Sequence, residues 1–163
     1  MILRGYEPGD LEAVAGLITD SIHGLAVTAY DARQLDAWAP RPPDLEHWRR
    51  RLGSMHVVLA CEDGRPSGVI GFHASGHVDL LFTHPDAARR GVAAALHAEV
   101  ERRLAADGVT ELFTEASEIA RPFFESRGYA VERREVVQAR GVDLHRYVMR
   151  RAERSGGAAP RAR

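Results

Sequence analysis

Hydrophobic positions along this chain change period near residue 56. Ile2 to Tyr6 reads as a short strand that ends at Glu7-Pro8-Gly9-Asp10. Asp10 stands at the N-cap position of a helix carrying Leu11, Val14, Leu17 and Ile18 at helical spacing. Gly24 is expected to loosen or end that helix. Asp31 opens a short helix through Leu35 and Trp38, broken by Pro40, Pro42 and Pro43. Asp44 caps another, containing Leu45, Trp48 and Leu52. From His56 the period is that of strands. His56 to Glu62 and Ser67 to Ala74 flank Asp63-Gly64, a strong hairpin signal. Ser75-Gly76 turns the chain into a third run, His77 to Thr83, which ends at His84-Pro85-Asp86.

Gly91 to Ala106 is a helix rich in alanine and leucine, stopped by Asp107-Gly108. Glu111 to Glu115 is a strand, and Ser117 caps a helix to Arg127 with Gly128 just past its end. Tyr129 to Gln138 and Val142 to Arg150 form a closing antiparallel pair joined near Arg140-Gly141. This order predicts an α+β domain with a mixed central sheet over residues 1–150. The tail, 151–163, with its Ser, Gly, Ala and Pro, reads as disordered.

A length of 163 residues supports one domain with a real core. The formal net charge of −1 argues against a nucleic-acid or membrane-surface partner, because phosphate neutralisation needs a basic face. Cys61, the single cysteine, lies in the apolar run Val57-Val58-Leu59-Ala60-Cys61 and reads as a buried small hydrophobe. No signal peptide is expected from the N-terminal residues, and no run approaches the ~18 apolar residues of a membrane span. A cytoplasmic location is expected.

The candidate chemistry starts at the segment Thr83-His84-Pro85-Asp86-Ala87-Ala88-Arg89-Arg90-Gly91-Val92-Ala93. A glycine entering a helix allows close approach of a ligand, and the helix start offers unpaired N–H groups. Arg89 and Arg90 add positive charge. By itself the segment is either a pyrophosphate cradle or an ordinary helix start with two solvated arginines. It is neither a Walker A loop nor GxGxxG.

Here the chain resembles the GNAT acetyltransferase superfamily, whose loop motif is Q/R-x-x-G-x-G/A after the fourth strand. Ala88 takes the first position, Gly91 the glycine and Ala93 the small residue. Ala88 departs from the usual Gln or Arg, so Arg89 and Arg90 must supply the charge. The resemblance continues in Ala120-Arg121-Pro122-Phe123-Phe124-Glu125-Ser126-Arg127-Gly128-Tyr129, which is similar to A-x-x-F-Y/F-E-x-x-G-F/Y. Ser21-Ile22-His23 and Tyr30 to Pro40 also resemble one bacterial subgroup of acetyltransferases.

The resemblance implies a mixed, mostly antiparallel sheet flanked by helices on both faces, with acetyl-CoA as co-substrate and an amine as acceptor. It implies cofactor contacts at Leu81, Phe82 and Thr83, at Arg89, Arg90, Gly91, Val92, Ala93 and Ala94, and at Ser117, Ala120, Phe123 and Phe124. A backbone N–H near Leu81 or Phe82 would stabilise the oxyanion. Many family members carry tyrosine where this chain has Phe124, which cannot protonate the leaving thiolate. Tyr129, Tyr30, water or the substrate ammonium then remain as proton sources. That substitution also keeps open a non-catalytic acyl-CoA-binding protein.

For the base, His77 and Asp79 at i and i+2 share a strand face, where they either relay a proton or are solvated or structurally hydrogen-bonded at a sheet margin. His23, Tyr30 and Trp38 are expected at the substrate pocket. His73, His77, Asp79 and His84 crowd together in sequence but lack a matching ligand spacing, so no metal is expected. The C-terminal strand pair offers an edge for a homodimer.

Overall fold

The computed structural model describes residues 1–152. The elements run β1 (Ile2–Gly5), α1 (Leu11–Leu25), α2 (Ala32–Trp38), α3 (Leu45–Gly53), β2 (His56–Glu62), β3 (Arg65–Phe72), β4 (His77–Thr83), α4 (Val92–Ala106), β5 (Leu112–Ala116), α5 (Arg121–Ser126), β6 (Ala130–Ala139) and β7 (Val142–Arg151). The seven strands form one sheet in the order β1-β2-β3-β4-β5-β7-β6. Every neighbouring pair is antiparallel except β4 with β5.

One hydrophobic cluster joins Val14, Ile18 and Ile22 of α1, Leu35 of α2 and Leu52 of α3 to Leu59, Val69 and Leu80 on one sheet face. The other joins Val92, Leu96, Val100 and Leu104 of α4 and Phe124 of α5 to Val58, Ile70 and Met149. The α4 residues recur every four positions, which is one stripe of a helix. Helices therefore cover both faces, and the mixed α+β sheet read from the sequence is the sheet observed.

Several local expectations change. Asp10 does not cap α1. Its carboxylate accepts two hydrogen bonds from Arg4, both 2.8 Å, and one from the Glu7 N–H. Gly24 does not end α1, which runs to Leu25, because its bare Cα lets Pro85 pack against it. Asp31 and Asp44 do cap α2 and α3, accepting from Gln34 N–H and His47 N–H. Ser117 lies four residues before the first helical residue of α5. Its hydroxyl accepts from Ala120 N–H at 3.1 Å and shapes the preceding turn. Arg151 belongs to β7, and the expectation for the rest of the tail beyond residue 152 lies outside the described residues. Cys61 is buried at a β-bulge. Among the described residues no helix is long and apolar enough to cross a membrane.

The feature that matters for function is the short contact between β4 and β5. Only His77 with Phe113 and Val78 with Thr114 are in register, and the strands then separate. Just before this point Gly76, at φ 95°, accepts a hydrogen bond from Phe113 N–H through its carbonyl. A Cβ at Gly76 would lie 2.3 Å from the Glu111 carbonyl oxygen. Gly76→Ala should therefore lower unfolding free energy by about 2 kcal/mol or more, since positive-φ strain adds to a backbone overlap. Gly64→Ala, also at positive φ but meeting no atom within 4 Å, should cost only ~1 kcal/mol. Urea unfolding of the two variants checks the difference.

Candidate active site

The opening between β4 and β5 is a wedge with a cavity on each side. On one side, about 320 Å³ is bounded by Tyr30, Trp38, Arg51, His77, Asp79, Glu115, Leu144 and Arg146. On the other, about 160 Å³ is bounded by Ile22, Leu25, Thr83, Ala93 and Phe123. Trp38, Leu81, Phe82, Ser117 and Ala120 line both. The smaller cavity is mostly apolar in its side chains, and the larger one carries the charged groups.

Main-chain direction along β4 follows from the ladder. His84 N–H donates to Ser67 carbonyl at 2.9 Å, so alternation turns Phe82 and Leu80 toward β3 as well. Leu81 and Thr83 then aim their N–H and C=O groups into the wedge. Of the two residues expected to present an N–H here, Leu81 has the right orientation and Phe82 does not. A bulge at Asp79, where Gly71 and Phe72 pair with Leu80 and Val78, breaks the strict alternation. Asp79 is the extra residue, and its carboxylate reaches α3.

At the far end of β4, Ala88 leads through Arg89, at φ 62°, and Gly91, at φ 83°, into α4. The first hydrogen bond of α4 runs from Ala95 N–H to Gly91 carbonyl. The amides of Val92, Ala93 and Ala94 therefore leave the helix without a helical acceptor, at the positive end of its dipole. Val92 can contribute only this amide, since its side chain is buried in the core. Arg89 is exposed, and Arg90 pairs with Glu62 at 3.2 Å. This is a site shaped for an anion.

The acid–base groups form two linked sets. His77 Nε2 donates to Glu115 at 2.5 Å. This hydrogen bond raises the His77 imidazole above its ordinary value against the opposing effect of burial, and it holds the Glu115 carboxyl below its own. Asp79 accepts from Arg51 Nη2 at 2.7 Å and from His73 Nε2 at 2.8 Å. Burial works to raise the Asp79 carboxyl, yet these two hydrogen bonds prevail and hold it below the ordinary carboxylate range. His73, His77 and Asp79 offer ligand atoms within 4.8 Å of one another. His84 is not among them and lies instead near Asp20 and Asp86. Hydrogen bonds to Asp79 and Glu115 hold these side chains together.

Tyr30 and Trp38 meet edge to face, with ring centroids 5.4 Å apart. The Tyr30 hydroxyl donates to His145 carbonyl at 3.1 Å and accepts from Glu118 N–H at 3.0 Å, tying the turn before α5 to β7. Trp48 is a core residue, under the Arg51 guanidinium. His23 is not brought to the wedge. Its Nε2 is 2.7 Å from the Ala39 carbonyl and fastens the end of α2 to α1. Tyr129 likewise lines neither cavity, its hydroxyl 2.8 Å from His97 Nε2 in the core.

Arg51, His73, His145 and Arg146 were not read as site residues. The period-two run Leu144, Arg146, Val148 carried a signal for Arg146. Arg51 carried none, because it meets Asp79 across a helix–strand packing, whereas His73 reaches Asp79 from the turn between β3 and β4.

A splayed parallel pair within an otherwise antiparallel sheet, flanked by helices on both faces, is the architecture this chain shares with N-acetyltransferases of known structure. The acetyltransferase (GNAT) domain family matches residues 26–151, and the chain belongs to that family. It is 30% identical over 148 residues to the N-acetyltransferase YafP of Escherichia coli, spanning 91% of this chain and 93% of that protein. A GCN5-related N-acetyltransferase from Rhodopseudomonas palustris superposes with a TM-score of 0.88 at 31% identity, covering 93% and 94% of the two chains. A PaiA N-acetyltransferase from Thermoplasma acidophilum, solved in complex with coenzyme A, shares the fold at a TM-score of 0.72 and 17% identity, over 92% and 97%.

The His77–Glu115 pair has a defined pH window. A raised folded-state imidazole contributes stability below its ordinary value of about 6.5 and loses it as pH rises through the folded value. A lowered carboxyl contributes above about 4.3 and loses it as pH falls through its folded value. The pair is therefore fully formed between those ordinary values. In Glu115→Gln, His77 should titrate lower than in the parent chain, by an NMR titration of its ring C–H signals. An unchanged midpoint would show that Glu115 does not set it.

Proposed function

We propose that the chain moves the acetyl group of acetyl-CoA to a primary amine of a small molecule or peptide, by direct attack in a ternary complex. The observation that carries this reading is the continuity of the wedge. It opens at one end on the amide cradle and at the other on a polar cavity, with Leu81, Ser117 and Ala120 at the junction. The coenzyme A held by the Thermoplasma relative supports the same cofactor here.

In this reading the pyrophosphate rests on the Val92–Ala94 amides, with Arg89 and Arg90 adding charge beside Gly91. The pantetheine arm follows Thr83, Leu81, Ala120 and Phe123 toward the junction. Phe124 packs from the core side at 2% exposure and offers no proton. The amine enters from the larger cavity and loses a proton to the neutral form of His77, directly or through water. Its nitrogen attacks the thioester carbon, and the oxyanion receives the Leu81 N–H. Collapse breaks the C–S bond and expels the thiolate. The proton still carried by the attacking nitrogen passes through water to the thiolate, and Ser117, which lines both cavities and whose oxygen accepts from Ala120 N–H, has its own proton free to hydrogen-bond the sulfur. Asp79, held ionised by Arg51 and His73, is a weak base and positions those two groups instead.

Phe124 favours a second reading, an acyl-CoA-binding protein without turnover. Following free thiol release from acetyl-CoA over an amine panel separates them. Saturable CoA binding with no thiol release for any acceptor overturns the enzyme reading. Arg89→Glu with Arg90→Glu should weaken CoA binding by about tenfold or more, the scale of lost charge-assisted hydrogen bonds, with little change in melting temperature. Unchanged affinity by calorimetry would move the pyrophosphate elsewhere. His77→Ala should lower kcat by about 10²-fold. The parent's rate should climb with pH through a midpoint above that of free imidazole, and a flat comparison removes His77 from the mechanism.

A further inference from the structure

The charges that line the larger cavity restrict what the acceptor can be. Both carboxylates there are already engaged: Asp79 by Arg51 and His73, and Glu115 by His77. Asp79 meets a donor on each of its oxygens, and Glu115 meets one on Oε2. The two guanidinium groups are differently placed. Arg51 uses one nitrogen, Nη2, for both of its bonds to Asp79 and is stacked over Trp48 at 5.3 Å, which fixes its plane. Arg146 spends Nε on Glu135 at 2.6 Å. Among the described residues the Arg51 Nε and Nη1 and both Arg146 Nη groups have no protein acceptor, and both side chains border the cavity. Planar guanidinium groups with spare donors match a carboxylate. Tyr30, Trp38, Val137 and Leu144 supply an apolar and aromatic stretch of the remaining wall, beside the polar His145, Thr114 and Ser117.

The geometry points to a free α-amino acid with an apolar or aromatic side chain as the acceptor, its carboxylate held by Arg146 and Arg51 and its side chain against Trp38 and Leu144. This rests on the acetyltransferase reading above and narrows it. A polyamine would bring a second cation toward two arginines, with Asp79 already holding a donor on each oxygen and Glu115 paired to His77. A peptide N-terminus has an amide where the carboxylate belongs. The pocket also has about the right scale, since ligand cavities of a few hundred Å³ enclose small molecules.

The test is thiol release from acetyl-CoA with L-phenylalanine, L-leucine, phenylalaninamide, phenethylamine and spermidine, using the full chain. Phenylalanine should exceed both phenylalaninamide and phenethylamine in kcat/KM by about 10- to 100-fold, the scale of a charge-assisted pair. Arg146→Gln should erase that margin, raising KM for phenylalanine far more than for phenethylamine, with KM for acetyl-CoA little changed. Turnover of spermidine, phenethylamine or the amide at rates equal to or above phenylalanine overturns the inference and leaves the acetyltransferase reading intact. No thiol release with any acceptor overturns both. The comparison among acceptors needs only the parent chain, so a poorly folding Arg146 variant does not blunt it.

Discussion

The parallel pairing of β4 and β5 lasts for two residues and then stops, and the chemistry of the fold is built on that interruption. Interrupting a ladder inside a sheet exposes main-chain polar groups, each costing about 1–3 kcal/mol if buried without a partner. The chain meets this locally at the branch point. Thr114, fully in the core, donates its hydroxyl to the Val78 carbonyl at 2.8 Å, where the ladder ends. The bulge at Asp79 turns β4 further, and β5 stays bound to β7 along its length. What remains unpaired, at Leu81 and Thr83, faces a slot between two layers of side chains. An extended ligand with amides of its own suits such a slot as a missing strand would.

Charge organisation on the acceptor side follows from packing distance rather than from any single element. Arg51 comes from α3, His73 from the turn after β3, Asp79 from β4, Glu115 from β5 and Arg146 from β7. Each half-buried carboxylate is met by cationic or polar donors from another element, as desolvated charges require. The same pairing sorts the roles. Asp79 is stabilised as an anion by two donors, which weakens it as a base, whereas Glu115 strengthens the imidazole beside it.

The core below α5 explains why Phe124 is tolerated. Phe123, Phe124, Tyr129 and His97 pack edge to face. The Tyr129 hydroxyl and His97 close a hydrogen bond within that apolar cluster, and burial pushes the His97 imidazole down to about 4, so it stays neutral. Burial likewise raises the Tyr129 phenol. These polar atoms are sealed from the wedge. Ser117 is, among the described residues, the hydroxyl that borders both cavities.

Much of this was legible one residue at a time. Period, capping side chains and turn glycines determined the strands, the starts of α2 and α3, and the glycine entry to α4 at Gly91, because these depend on neighbours within a turn or two. The two motifs determined the family. Tertiary structure decided what depends on elements meeting: that β4 and β5 separate after Val78, that Leu81 rather than Phe82 faces the gap, that Asp10 serves Arg4 instead of α1, and that His23 holds Ala39 while Arg51 and Arg146 enter the cavity. Spacing along a strand placed His77 and Asp79 near each other. It could not show which partners hold them, because a pKa is set by charges and burial contributed across the fold, and those distances are not written in sequence separation.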